Sequence, residues 1–294
     1  MRLDRAASVS VAKRLIDTGA LRPKIGIPIL MYHSVSNDPE TGTSPYYRLS
    51  TSPVRFREHM RWLREGGYTV LSLHEALRRL RAGTVDTQPS IVITFDDGFR
   101  DFLTDAWPVL AECGFTASVF LPTAYIDRDR RSFKGRPCLT WPEVRELHAE
   151  GILFGTHTVS HPTLYRLPRG ELRRELIDSR TRLEAELGVS IDSFAYPYAF
   201  PQEDGIFIEH LRRELIACGY KVAATTVIGR ATSQPDILFL KRIPINDCDD
   251  EPLFHAKLHG AYDWVGGLQS FVRRVKSSRT LMAQWHPWHD FRAT

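Results

Sequence analysis

Long apolar runs are what this sequence most clearly lacks. No stretch of the 294 residues approaches the ~18 consecutive apolar positions that span a bilayer, which excludes a membrane-spanning helix at the level of sequence. Residues 1–24 are charged throughout and hold no apolar block of about 7–15 residues of the kind a secretory leader carries, so the expected address is cytoplasmic. Cysteine is scarce: Cys113, Cys138, Cys218 and Cys248 stand far apart without a C-x-x-C pair, which argues against a disulfide framework or a thiolate zinc site. Charge of one sign is not concentrated anywhere. Lys and Arg number 39 against 35 Asp and Glu, a net +4 with no long basic run, and no nucleic-acid partner is expected. No repeat of about 20–50 residues and no low-complexity linker divides the chain, so a single domain over 1–294 is the expectation.

What is present fits a folded globular chain, with 43% apolar, 11% aromatic and 25% charged residues. Strand-like apolar runs recur at 25–33 (IGIPILMYH), 91–95 (IVITF), 117–121 (ASVFL), 152–157 (ILFGTH), 194–196 (FAY), 222–226 (VAATT) and 238–245 (LFLKRIPI), with helical patterns between them. That alternation predicts an α/β fold around a mostly parallel sheet, and apolar residues at consecutive positions fit strands covered on both faces. Ser52 before Pro53 opens one helix, and Ser72 with Glu75 and Thr140 with Glu143 are capping-box patterns. Leu172, Leu176, Leu183 and Leu187 share one side of a charged segment over 168–187, as in an outer helix. The polar segment 36–49 follows a strand directly, which places it on the C-terminal face where α/β barrels build their sites.

Two features carry chemistry. In IVITFDDG, Asp96 and Asp97 leave a buried strand side by side, with Gly98 to turn the chain. In GTHTVSHP, His157 and His161 follow another strand at i, i+4, a spacing that on one helical turn brings two imidazoles to one cation. His255 and His259 repeat the spacing without a strand before them and read as solvated. Two imidazoles and one carboxylate would give a hydrolytic metal site three protein ligands and an open position for water. Asp97 held against the cation stays ionised, leaving Asp96 to act as general base.

TFDDG at 94–98, HTVSHP at 157–162 and FAYPYAF at 194–200 resemble, in order and spacing, the first three motifs of the polysaccharide deacetylases of carbohydrate esterase family 4, the NodB-homology domains. The resemblance covers about 28–245. It implies an irregular (β/α) barrel, Asp96 as base, and Asp97, His157 and His161 as ligands of a divalent ion: zinc first, with cobalt, nickel or manganese as alternatives. The third motif departs from the family's Arg-x-Pro-Tyr-Gly. Ala195 stands where the arginine would be and Ala199 where the glycine would be, while the tyrosine whose N–H serves the oxyanion is kept as Tyr198.

PILMYHSV at 28–35 is similar to the start of the poly-N-acetylglucosamine deacetylase-like branch, where a first-strand histidine replaces the usual C-terminal one. On that likeness His33 is the general acid, with His286 in AQWHPWHD as its competitor. Arg242 in LKRIPI is the candidate to hold Asp96, against a solvated strand-end arginine. Tyr46 and Tyr47, in the loop after His33, and Tyr198 are candidate substrate contacts. The implied activity is hydrolysis of an N-acetyl or other N-acyl group from an N-acetylated amino sugar or glycan. The alternatives are a glycan-binding protein without turnover, favoured by the missing arginine at 195, and an amidohydrolase of a lipid- or nucleotide-linked sugar or a non-sugar amide.

Overall fold

The computed structural model describes residues 3–83, 88–232 and 235–271. Seven parallel strands close on themselves in chain order: β1 (Ile29–Tyr32), β2 (Ser90–Phe95), β3 (Ser118–Leu121), β4 (Leu153–Thr156), β5 (Ser193–Ala195), β6 (Val222–Ile228) and β7 (Leu240–Pro244), with β7 returning to β1. Closure is set by Ile243 opposite Leu30 on one side of β1 and Ile29 opposite Val92 on the other. A closed parallel ring needs helices outside and packed side chains inside, so its strands bury both faces; every residue of β1, β2 and β3 is buried. The result is an irregular (β/α) barrel. Thr69–Val70 adds a short parallel pairing to β2 outside the ring.

One expected strand is divided. In IGIPILMYH, Pro28 has no N–H to donate, and Gly26–Ile27 instead pairs antiparallel with Ala231–Thr232, while the barrel strand starts at Ile29.

The outer layer comprises α1 (Pro53–Glu65), α2 (Leu73–Ala82), α3 (Trp107–Cys113), α4 (Trp141–Ala149), α5 (Arg169–Leu187), α6 (Gly205–Ala217) and, after the ring, α7 (Glu251–Leu258). Ser52 caps α1 with Pro53 in its first turn, and Phe56 of that helix meets Tyr32 and Phe95 edge-on at 5.3 and 5.8 Å. Thr140 and Glu143 form a complete capping box on α4. At α2 only half of the box is made: Ser72 accepts from Glu75 N, but the Glu75 carboxylate is taken by Arg78 and Arg79 instead of turning back. Helix α5 buries Leu172, Leu176 and Leu183 and exposes most of its charges. No helix among the described residues is long and apolar enough to cross a membrane.

Candidate active site

Side chains from the C-terminal ends of β1, β2, β4 and β5 converge with one arginine from within β7. Asp97 adopts φ 71° and Gly98 φ 62°, a sharp left-handed turn immediately beyond β2. A Cβ at Gly98 would lie 2.7 Å from Leu121 Cδ2, so both backbone shape and space require glycine there.

Asp97, His157 and His161 are all buried, and their candidate ligand atoms lie within 4.8 Å of one another. Asp97 Oδ1 is 3.2 Å from His161 Nε2 and 3.7 Å from His157 Nε2. His157 donates from Nδ1 to the Ala195 carbonyl at 2.7 Å, which fixes its tautomer and leaves the Nε2 lone pair facing Asp97. No hydrogen-bond donor is aligned on the buried Asp97 Oδ1 among the described residues. An orphaned carboxylate oxygen beside two imidazole nitrogens fits a divalent cation bound by two nitrogens and one oxygen. His255 and His259 stack 6.0 Å apart without joining such a cluster among the described residues.

The two candidate ligand histidines do not share a helical turn. Residues 157–161 form an irregular loop in which Thr158 has φ 71° and His161 φ 57°. His161 N donates to Thr158 Oγ1 at 2.9 Å, a local side-chain bond that competes with helix formation, and Pro162 follows at once. The imidazole centroids still come within 4.7 Å.

Asp96 is gripped by Arg242, whose Nη1 and Nη2 reach Oδ1 and Oδ2 at 2.7 Å each. The arginine is completely buried, not solvated, and also donates to the Thr225 carbonyl at 3.0 Å and Thr94 Oγ1 at 3.2 Å. Burial by itself raises the Asp96 carboxyl, but Arg242 and the neighbouring histidines override it and hold it below the usual carboxylate range. At Asp97 burial is likewise outweighed, here by His161, His33 and Lys134, so both carboxylates are ionised. Burial holds the His157 imidazole down to about 3, the neutral form a ligand needs.

His33, directly after β1, places Nε2 4.0 Å from Asp96 Oδ2 and is partly open to solvent. Burial lowers its proton affinity, with the two aspartates pulling the other way. Tyr198 adopts φ 56°, and its half-exposed ring stands edge-on to His161 at 4.4 Å.

Comparison with known proteins gives a consistent set of relatives. Residues 84–223 match the family described as polysaccharide deacetylase. The Streptococcus pyogenes deacetylase PplD, solved in complex with acetate, superimposes with a TM-score of 0.68 at 26% identity over 80% of this chain and 99% of that one. The family match identifies a polysaccharide deacetylase domain over a little under half of the chain. The chain is 28% identical to YxkH of Bacillus subtilis over 87% of its own length and 83% of the relative's. It is 24% identical to the poly-beta-1,6-N-acetyl-D-glucosamine N-deacetylase of Escherichia coli, over 72% of its own length and 35% of that protein's.

Two residues of the candidate site escape sequence reasoning. Lys134, at the tip of a hairpin pairing Ser132–Phe133 with Arg136–Pro137, reaches Asp97 Oδ2 at 3.2 Å and lies over the Phe133 and Tyr198 rings. Only the Lys-Gly pair hints at the turn, and nothing local names the partner. Glu175, on α5, holds the loop between the histidines. Of the tyrosines after β1, Tyr46 packs against the apolar cluster of Ile228, Leu253, Tyr262 and Val265, while Tyr47 is 69% exposed and stands edge-on to Tyr46. His286 lies outside the described residues.

Proposed function

We propose that this protein is a metal-dependent N-deacetylase of an N-acetylated amino-sugar glycan of the poly-N-acetylglucosamine type. The observation that carries the reading is the pairing of a buried Asp97–His157–His161 donor set with an unligated neighbour, Asp96, kept ionised by Arg242. A divalent cation, zinc by the donor set, would be held by those three residues and would supply Lewis acidity toward the amide carbonyl and a lowered pKa for water beside it.

Asp96 takes a proton from the attacking water, with Arg242 fixing its plane. The Tyr198 N–H faces the amide oxygen as negative charge develops there. His33 protonates the departing nitrogen; its Nε2 lies 4.0 Å from Asp96 Oδ2, and one bridging water carries the proton that Asp96 took from the attacking water back to His33, so protons balance over a turnover. Acetate and a free amine result. The absence of arginine at 195, which favours a binding protein without turnover, is offset by Arg242 reaching Asp96 from β7.

The test is acetate release from N-acetylglucosamine oligomers alongside metal analysis. Asp97→Ala and His161→Ala should lose metal; Asp96→Asn and His33→Ala should keep it and lose about 10²–10⁴-fold in rate. Near-normal turnover by Asp96→Asn overturns the base assignment. A metal-loaded wild type that releases no acetate across a panel of acetylated sugars overturns the deacetylase reading.

A further inference from the structure

The loop that carries both imidazoles is held by a residue on the far side of the barrel wall. Glu175, on α5, reads in the sequence as one more outward charge of an outer helix. Its Oε2 instead accepts from Val159 N at 2.8 Å and Ser160 N at 2.9 Å, and its Oε1 from Ser160 Oγ at 2.6 Å. The opposite edge of the same loop is held by the turn after β3, where Thr123 N and Ala124 N donate to the Thr158 and Val159 carbonyls at 3.1 and 2.9 Å.

Such bracing is needed because Thr158 and His161 both sit in the left-handed region without being glycine, a conformation that persists only where the surroundings over-determine it. The two imidazoles also differ in how they are aimed. His157 is oriented by its own bond to the Ala195 carbonyl, whereas the buried Nδ1 of His161 has no hydrogen-bond partner among the described residues. Apart from the approach of its Nε2 to Asp97 Oδ1 at 3.2 Å, the direction of His161 rests on its main chain and on the Phe133 and Tyr198 rings 5.0 and 4.4 Å away.

We propose that Glu175 is a positioning residue for the metal site, setting cation affinity through the main chain of residues 158–161 and the aim of His161. The proposal rests on the metal-site reading given above. Glu175 touches neither substrate nor cation; its carboxylate selects the one loop shape in which both Nε2 atoms face Asp97 Oδ1.

The experiment measures Zn²⁺ affinity by competition with a chromophoric chelator, and the visible spectrum of the Co²⁺-substituted protein, for wild type, Glu175→Ala, Glu175→Gln and Glu186→Ala. Glu175→Ala should bind about 10–100-fold more weakly, the usual cost of losing a group that orients a ligand, with a changed Co²⁺ spectrum. Glu175→Gln keeps an acceptor for the two amides and should recover most of the affinity. Glu186→Ala removes surface ion pairs to Arg145 and Arg182 from the same helix and should leave affinity and spectrum unchanged, which separates positioning from general loosening of α5. Glu175→Ala binding within about twofold of wild type, or Glu186→Ala losing as much, overturns the role of Glu175 alone. A wild type that binds no cation overturns the metal-site reading, and this proposal with it.

Discussion

Replacing Arg242 with methionine is the most informative single change, because it leaves the Asp96 carboxylate in place and removes its counter-charge. The guanidinium is 0% exposed and the aspartate 2%, so solvent neither screens the pair nor takes over the lost hydrogen bonds. Breaking a buried pair from one side costs about 3–5 kcal/mol, a large part of a typical stability of about 5–15 kcal/mol. That corresponds to about 6–20 °C in Tm at the usual sensitivity for large domains. The sign with pH is specific. In wild type the Asp96 carboxyl is held below its ordinary value of 3.8, so its contribution is present above that value and is lost in acid. In Arg242→Met burial dominates and the carboxyl rises, so the deficit is largest near neutrality and narrows as pH falls toward about 4. Chemical denaturation of chelator-treated wild type and variant between pH 4 and 8 reads this directly. Adding Asp96→Asn should recover much of the loss, since no charge is then stranded. A cost under about 1 kcal/mol, or a deficit independent of pH, refutes the argument.

Two further outcomes are expected. His59 is fully buried between Tyr32 Oη and the Asp249 carbonyl, and burial holds its imidazole down to about 4. Its neutral form is needed for folding, so stability is unaffected above about pH 6.5 and falls by up to about 3 kcal/mol as pH drops from there to 4. His59→Gln should flatten that slope in denaturation curves; an unchanged slope removes His59 as its cause. At the active-site turn, Gly98→Ala forces a Cβ to 2.7 Å from Leu121 at positive φ and should destabilise by about 1–3 kcal/mol, with metal affinity reduced as Asp97 shifts. A variant as stable as wild type shows that the turn relaxes freely.

Much of the barrel can be read from residue order because its strands are covered on both faces and appear as unbroken β-branched and aromatic runs; SIVITF is buried at every position. Asp96 and Asp97 stand out as paired charges closing such a run. Arg242 is visible for a related reason: an arginine inside LKRIPI must either reach solvent or find a carboxylate, and it finds Asp96 across 146 residues. The histidine spacing correctly implies nearness but not loop shape, since i, i+4 says nothing about the two left-handed residues between strand and proline. Lys134 and Glu175 are illegible because each acts on a group brought close only by closure of the fold, and each looks locally like an ordinary surface charge.

The hairpin lysine beside Asp97 Oδ2 has a wider meaning. With Arg242 opposite Asp96 and Lys134 opposite Asp97, two negative and two positive groups cancel within the pocket before any ion arrives. Many small metalloproteins collapse only when their metal neutralises the ligands. Here the counter-charges are written into the polypeptide, so the two buried carboxylates need no cation to neutralise them as the barrel assembles.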